Sequence, residues 1–133
     1  MTEVSNGADR RPGRETFNEI WSQAEAWTGT MDRIDRDEAR LVGLFEGAEQ
    51  VVFSGCGSAY NASFSIAARF QSLTGICCKP VHASEFFLFN NMFLCGGKKT
   101  VAVLISRSGA TTETLTAQRK AAELGCGTLS ITC

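Results

Sequence analysis

The chain has 133 residues, of which 20% are charged and 44% hydrophobic, and its formal net charge is −1. That length allows one domain and little more, and the composition excludes wholesale disorder and collagen-like repeats. No apolar run approaches the roughly 18–20 residues that span a bilayer, and residues 1–15 lack the apolar core of a secretory signal. We therefore expect a cytoplasmic protein that does not enter a membrane.

The charge is distributed unevenly along the chain. Residues 1–49 carry a net charge of −5 and residues 50–133 a net charge of +4. A mildly basic C-terminal part suits a small anionic ligand, whereas a nucleic-acid groove usually shows a dense basic stripe. We therefore expect a small-molecule partner and no nucleic acid.

The six cysteines form no C-x-x-C pair, and the chain has one histidine. This composition disfavours a zinc site, and we expect no metal and no other cofactor. Without a secretory signal, the cysteines are expected to be free thiols that behave as small apolar residues.

The N-terminal part predicts a tail followed by helices. Residues 1–15 are polar and contain glycine and proline, which is typical of a disordered tail. Apolar residues then recur at steps of three and four from Phe17 to Ile34, as in an amphipathic helix, although Gly29 interrupts the pattern. A second short helix is predicted from Asp37 to Phe45. One or two lead-in helices thus occupy residues 16–49.

From residue 50 onward, strands alternate with helices. Apolar runs predict strands that begin near residues 51, 76, 101 and 128, and these steps fit a strand plus a crossover helix. Helices are predicted between the strands, at residues 60–73, from residue 84 to 89, and at residues 112–124. This order predicts an α/β fold, a three-layer αβα sandwich with a parallel sheet.

Two polar loops follow the first and third predicted strands, where parallel sheets bind ligands. The second loop, residues 106–112 (SRSGATT), brings hydroxyls and backbone N–H groups to the positive end of a helix, which favours phosphate binding. Gly109 permits close approach of the backbone, and Arg107 adds a charge. Serine and threonine are also common helix caps and turn residues. The first loop, residues 54–60 (SGCGSAY), is a matching Gly-Ser loop and favours ligand binding.

Nucleotide binding is the weaker interpretation of these loops. Gly55 and Gly57 begin a dinucleotide fingerprint, but Tyr60 occupies its third glycine position. The sequence also contains no Walker loop.

Three motifs together resemble the SIS (sugar isomerase) domain family: residues 53–60 (FSGCGSAY), 83–86 (ASEF) and 105–115 (ISRSGATTETL). Residues 17–20 (FNEI) with Gln23 resemble the lead-in helix of its two-domain members, with Ala24 in place of the usual proline. The resemblance implies a flavodoxin-like sheet and phosphosugar binding. It also implies that residues 50–133 form a SIS domain of about four strands, incomplete at its C-terminus.

The resemblance also implies a set of binding residues. In the isomerase part of glucosamine-6-phosphate synthase, an S-x-S-G-x-T loop holds the sugar phosphate. The matching residues here are Ser106, Arg107, Ser108, Gly109 and Thr111. Arg107 stands where that enzyme has glutamine. The first loop adds Gly57 and Ser58, whereas Ala59 lacks a hydroxyl that the family often has.

The implied function is that of a sugar-phosphate isomerase or deglycase in carbohydrate-derivative metabolism, with its general base in a second SIS half. His82 and Glu85 are more typical of a capping residue and a first-turn acid, so we assign no catalytic residue. Two alternatives remain: a non-catalytic phosphosugar sensor, and the isomerase portion of a glucosamine-6-phosphate synthase-like aminotransferase. We expect the full-length protein to be a homodimer.

Overall fold

The computed structural model describes residues 12–133. Its elements, in chain order, are α1 (Arg14–Phe45), β1 (Gln50–Gly55), α2 (Ser58–Thr74), β2 (Cys77–His82), α3 (Ala83–Leu88), α4 (Asn90–Phe93), β3 (Thr100–Ser106), α5 (Thr112–Glu123) and β4 (Gly127–Thr132). The chain divides into two compact units, one ending at Ala39 and the other running from Arg40 to Cys133.

A single continuous helix, α1, occupies the region where one or two lead-in helices were predicted. Gly29 does not interrupt it, because one glycine costs only about 1 kcal/mol in a helix of good helix formers. The predicted break before Asp37 is absent as well, since no proline or turn sequence lies there. Most of the predicted tail lies outside the described residues, while Arg14 and Glu15 already belong to α1.

The predicted α/β fold is confirmed. Four parallel strands form one sheet in the order β2-β1-β3-β4, which is the flavodoxin-like order. In the pairing register, Gly55 is level with both His82 of β2 and Ile105 of β3. The carboxyl ends of these three strands therefore meet at the same edge of the sheet.

Helices cover both faces of the sheet and give it three layers. On one face, α3 and α5 pack on Val52, Ala102 and Leu104 through apolar side chains such as Phe86 and Ala117. On the other face, α2 and the end of α1 pack on Val51, Phe53, Val101 and Val103. The near-continuous apolar character of β1 and β3 follows from this burial on both faces.

The outer strand β4 pairs with β3 and is exposed over its last three residues. Among the described residues, no helix is long and apolar enough to cross a membrane.

Candidate functional site

The strand order reverses at the carboxyl edge between β1 and β3, the position at which doubly wound sheets form a crevice. From β1 the chain crosses to β2 on one side and then to β3 on the other, so the direction of winding reverses between β1 and β3. Doubly wound sheets bind their ligands at this reversal point. Both predicted loops start there, because Gly55 and Ile105 are level in the register.

The first loop is held against the sheet by a close approach at Gly55. A Cβ atom on Gly55 would lie 2.9 Å from the Ile105 carbonyl oxygen and 2.9 Å from the Ala59 Cβ atom. Gly57 turns the chain with φ +55°, and α2 begins at the next residue, Ser58. The loop therefore brings the exposed Ser58 and the first N–H groups of α2 to the crevice.

The second loop is ordered by its own hydroxyl groups. The Ser106 and Thr111 side-chain oxygens lie 3.0 Å apart, and the Ser108 Oγ accepts a hydrogen bond of 3.2 Å from the Ala110 N–H. Gly109 has φ +66° and donates its N–H to the Ser106 carbonyl. This turn places the exposed Arg107 and Ser108 at the rim of the crevice.

The start of α5 offers further donors to an anion. Thr111 is the N-cap residue, and its side chain makes no capping hydrogen bond. The first N–H groups of a helix have no partner within the helix and carry its positive partial charge. Glu113 lies in this first turn and is exposed, so its carboxylate opposes part of that attraction. Arg107 makes no ion pair within residues 12–133, so its charge is free to act on a ligand.

The predicted site residues therefore fall on two neighbouring loops. Ser106, Ser108, Gly109 and Thr111 lie together on the second loop, where two of the hydroxyls are in contact. Gly57 and Ser58 lie across the crevice on the first loop.

His82 and Glu85, to which the sequence analysis assigned no catalytic role, lie at the start of α3. His82 is the N-cap of α3, and its Nδ1 accepts a hydrogen bond of 3.3 Å from the Ser84 N–H. Glu85 lies in the first turn of α3 and is exposed. One contact was not foreseen: the Tyr60 and His82 rings meet edge to face, with 5.2 Å between centroids. It depends on the β1–β2 register, which no local pattern reveals.

Two buried hydroxyl groups near these loops lack hydrogen-bond partners within the described residues. Ser54 is fully buried one residue before the end of β1, and Thr114 is 6% exposed in the first turn of α5. An unpaired buried hydroxyl costs about 1–3 kcal/mol, because it has lost its hydrogen bonds with water.

Thr114→Val is therefore expected to raise the free energy of unfolding by about 1 kcal/mol, since it replaces an unpaired hydroxyl with a methyl group. Denaturant titration of the full chain measures the change. The matched control is Thr116→Val on the same helix, which loses a hydrogen bond of 2.8 Å to the Thr112 carbonyl and should bring no gain. A loss of stability in Thr114→Val would mean that a buried water or another group binds this hydroxyl.

All six cysteines lie in the described part of the chain and are free. Burial, with the neighbouring Cys77 as the smaller cause, raises the pKa of the Cys78 thiol to about 11. Burial also raises the pKa of Cys126. Both thiols therefore stay protonated and poorly nucleophilic at neutral pH. Within residues 12–133, no group of three or more His, Cys, Asp or Glu side chains is arranged to hold a metal ion.

Comparison with known proteins agrees with this architecture. The family model described as SIS domain matches residues 44–133. The chain is 35% identical over 123 residues to a glutamine--fructose-6-phosphate aminotransferase (isomerizing) of Streptomyces coelicolor, covering 86% of this chain and 20% of that protein. It is 31% identical over 115 residues to the protein of the same name from Haemophilus influenzae, covering 80% of this chain and 18% of that protein. The chain thus spans about a fifth of the length of these relatives.

Solved structures share the fold. The tagatose-6-phosphate ketose/aldose isomerase of Escherichia coli superposes with a TM-score of 0.80 at 23% identity, over 98% of this chain and 37% of that chain. The C-terminal domain of glucosamine-fructose-6-phosphate aminotransferase from Francisella tularensis gives a TM-score of 0.72 at 25% identity, over 96% of this chain and 36% of that one.

Proposed function

Since the chain belongs to the SIS domain family, we propose that it binds a phosphorylated sugar in the crevice between the first and second loops. The names of the relatives described above share a hexose 6-phosphate. A six-carbon sugar bearing one terminal phosphate is therefore the ligand class that we assign to this chain.

The observation that carries the proposal is the second loop at the start of α5. Ser106, Ser108 and Thr111 bring three hydroxyls to a helix N-terminus at the reversal point of the sheet. Hydroxyl and backbone N–H donors at a helix N-terminus bind phosphate groups well, because the partial charge of the helix adds to each hydrogen bond. Arg107 adds a full positive charge, and Ser58 with the N–H of Gly57 completes the site from the first loop.

The internal contacts of the second loop leave donors for the phosphate. The Ser108 Oγ uses a lone pair on the Ala110 N–H, so its own O–H remains free to donate. Of the Ser106 and Thr111 hydroxyls, one donates to the other and the second keeps its proton for a ligand. A phosphate oxygen that accepts these bonds would replace water in an already ordered loop, so little ordering entropy is lost on binding.

The proposed role in a reaction is to hold the substrate. Isomerisation of a sugar phosphate needs a general base that moves a proton between adjacent carbons. We assign no described residue to that step, and the base of the proposed isomerase or deglycase comes from outside residues 12–133. In this proposal the second loop anchors the phosphate, and the sugar carbons extend from it along the carboxyl edge.

Calorimetric titration of the full chain with fructose 6-phosphate, glucosamine 6-phosphate and tagatose 6-phosphate tests the proposal. We expect saturable binding of at least one of them, and no binding of unphosphorylated fructose, because the charge-assisted contacts to phosphate supply most of the affinity. Binding of none of the three by a folded chain would exclude the proposed function. Equal binding of fructose and fructose 6-phosphate would exclude the second loop as a phosphate site.

The proposal also covers the cellular compartment and the oligomeric state of the protein. We place it in the cytoplasm, the compartment of soluble sugar-phosphate metabolism, and we propose that it acts as a homodimer. The exposed apolar side chains Phe64, Ile66 and Leu73 on α2 support the second point, since such residues are candidates for contacts between subunits.

A further inference from the structure

Two side chains at the carboxyl edge have no part in the phosphate contacts proposed above: His82 and Tyr60. His82 is the last residue of β2 and is level with Gly55 in the register, which in turn is level with Ile105 of β3. Tyr60 lies in the first turn of α2, and its ring meets the imidazole edge to face at an interplanar angle of 80°. Both side chains are half-buried. This pair therefore stands on the β2 side of the first loop, opposite the second loop.

Each member of the pair has a hydrogen-bond donor to spare. The His82 Nδ1 accepts the Ser84 N–H, so the proton of the neutral imidazole lies on Nε2. Neither this Nε2–H nor the Tyr60 hydroxyl has a hydrogen-bond partner among residues 12–133. The cap on α3 thus fixes the tautomer, and the contact with Tyr60 restricts the orientation of the ring.

The spacing of the strands suits a sugar that lies along this edge. Neighbouring strands are about 4.8 Å apart, so β2 and β3 are separated by about 9.6 Å, with β1 between them. An extended six-carbon chain that starts from a phosphate on the second loop is long enough to cross the first loop and reach β2. A three-carbon phosphate ester held in the same way would end over the first loop.

We propose that the His82 Nε2–H and the Tyr60 hydroxyl bind hydroxyl groups at the end of the sugar farthest from the phosphate. This inference rests on the proposed function and adds the residues that select sugar length. A six-carbon phosphate ester gains these two hydrogen bonds and a shorter ester does not reach them, so a site built in this way favours the longer ligand.

The variant His82→Asn separates this role from the capping role. Asparagine is among the best N-cap residues, so its side-chain oxygen can replace Nδ1 as the acceptor from Ser84, while the Nε2–H is lost. We expect the affinity for fructose 6-phosphate to fall about threefold to tenfold, the effect of one neutral hydrogen bond. The affinity for glycerol 3-phosphate should stay at the wild-type value, since this ester does not reach β2. Calorimetric titration with both ligands measures the difference.

Tyr60→Phe is the second variant, since it keeps the ring against His82 and removes only the hydroxyl. It should show the same selective loss. The inference is wrong if either variant binds fructose 6-phosphate as the wild type does, or if both ligands weaken equally, because an equal loss would come from the fold. If the wild-type chain binds no sugar phosphate, the proposed function itself fails. If the wild type binds fructose 6-phosphate and both variants bind it with the same affinity, the proposed function stands and only this inference is wrong.

Discussion

Gly55→Ala is expected to destabilise the fold by about 2–3 kcal/mol, near the upper end of the cost of overpacking a well-packed site. The added Cβ would lie 2.9 Å from the Ile105 carbonyl oxygen and 3.1 Å from the Ala59 carbonyl carbon. Both are backbone atoms, one on β3 and one in the first turn of α2, so no side-chain rotation relieves the clash. Either β1 and β3 must separate, or α2 must move outward. Denaturant titration of the full chain measures the loss of stability as a lower midpoint of unfolding.

The matched control is Gly43→Ala in α1. A Cβ at Gly43 has nothing within 4 Å, and the residue lies in the last turn of α1 with a helical backbone. Alanine there should stabilise the chain by about 0.5–1 kcal/mol. The two Gly→Ala variants are thus expected to differ in sign. A Gly55→Ala chain as stable as the wild type would show that the first loop does not approach β3 as closely as described.

The same close approach links stability to the proposed site. If β1 and β3 separate to admit a Cβ at Gly55, the two loops separate with them, since both start at this edge. A ligand held by Ser58 on one side and by Ser108 on the other would then lose part of its contacts. Gly55 therefore acts on binding through the spacing of the loops, without contacting the ligand itself.

Much of the fold follows from local patterns in the sequence. The apolar runs at residues 51–53 and 100–105 predicted strands, and their continuous apolar character fits the burial of both strands on the two faces of the sheet. The predicted separate helix from Asp37 to Phe45 was wrong, since α1 runs without a break through Gly29 and Asp37, and the cost of one glycine is small against a helix of 32 residues. An inference from one glycine fails where the residues on both sides of it favour a helix.

The candidate site was less fully predictable. The second loop could be found because its hydroxyls and glycine are neighbours in sequence, and the Ser106–Thr111 contact joins residues five positions apart. The Tyr60–His82 contact joins residues 22 positions apart on different elements, and only the parallel register of β1 and β2 brings them together. Equally, nothing in the sequence distinguishes the unpaired hydroxyl of Thr114 from the paired one of Thr116. Both distinctions arise from tertiary packing.

Ser108→Ala is expected to weaken the binding of fructose 6-phosphate tenfold or more. The Ser108 Oγ accepts the Ala110 N–H, and this bond orients its free O–H. A hydrogen bond from this hydroxyl to a phosphate is charge-assisted, and the loss of such a bond costs about 1.5–3 kcal/mol, or roughly 10-fold to 150-fold in affinity. Because Ser108 is exposed, water can hydrate the Ala110 N–H in the variant, and the thermal midpoint should change little.

The control variant is Ser72→Ala, which removes another exposed serine hydroxyl, in the last turn of α2, where it donates to the Arg69 carbonyl. Its affinity for fructose 6-phosphate should equal that of the wild type.

A comparison of two ligands locates the contact. The affinity of Ser108→Ala for glycerol 3-phosphate should fall by the same factor as its affinity for fructose 6-phosphate, since the hydroxyl contacts the phosphate that both ligands share. His82→Asn is expected to weaken only the hexose phosphate. Ser108→Ala therefore tests where the phosphate binds, and His82→Asn tests where the other end of the sugar binds. Unchanged binding of both ligands by Ser108→Ala would show that the phosphate does not bind at the second loop.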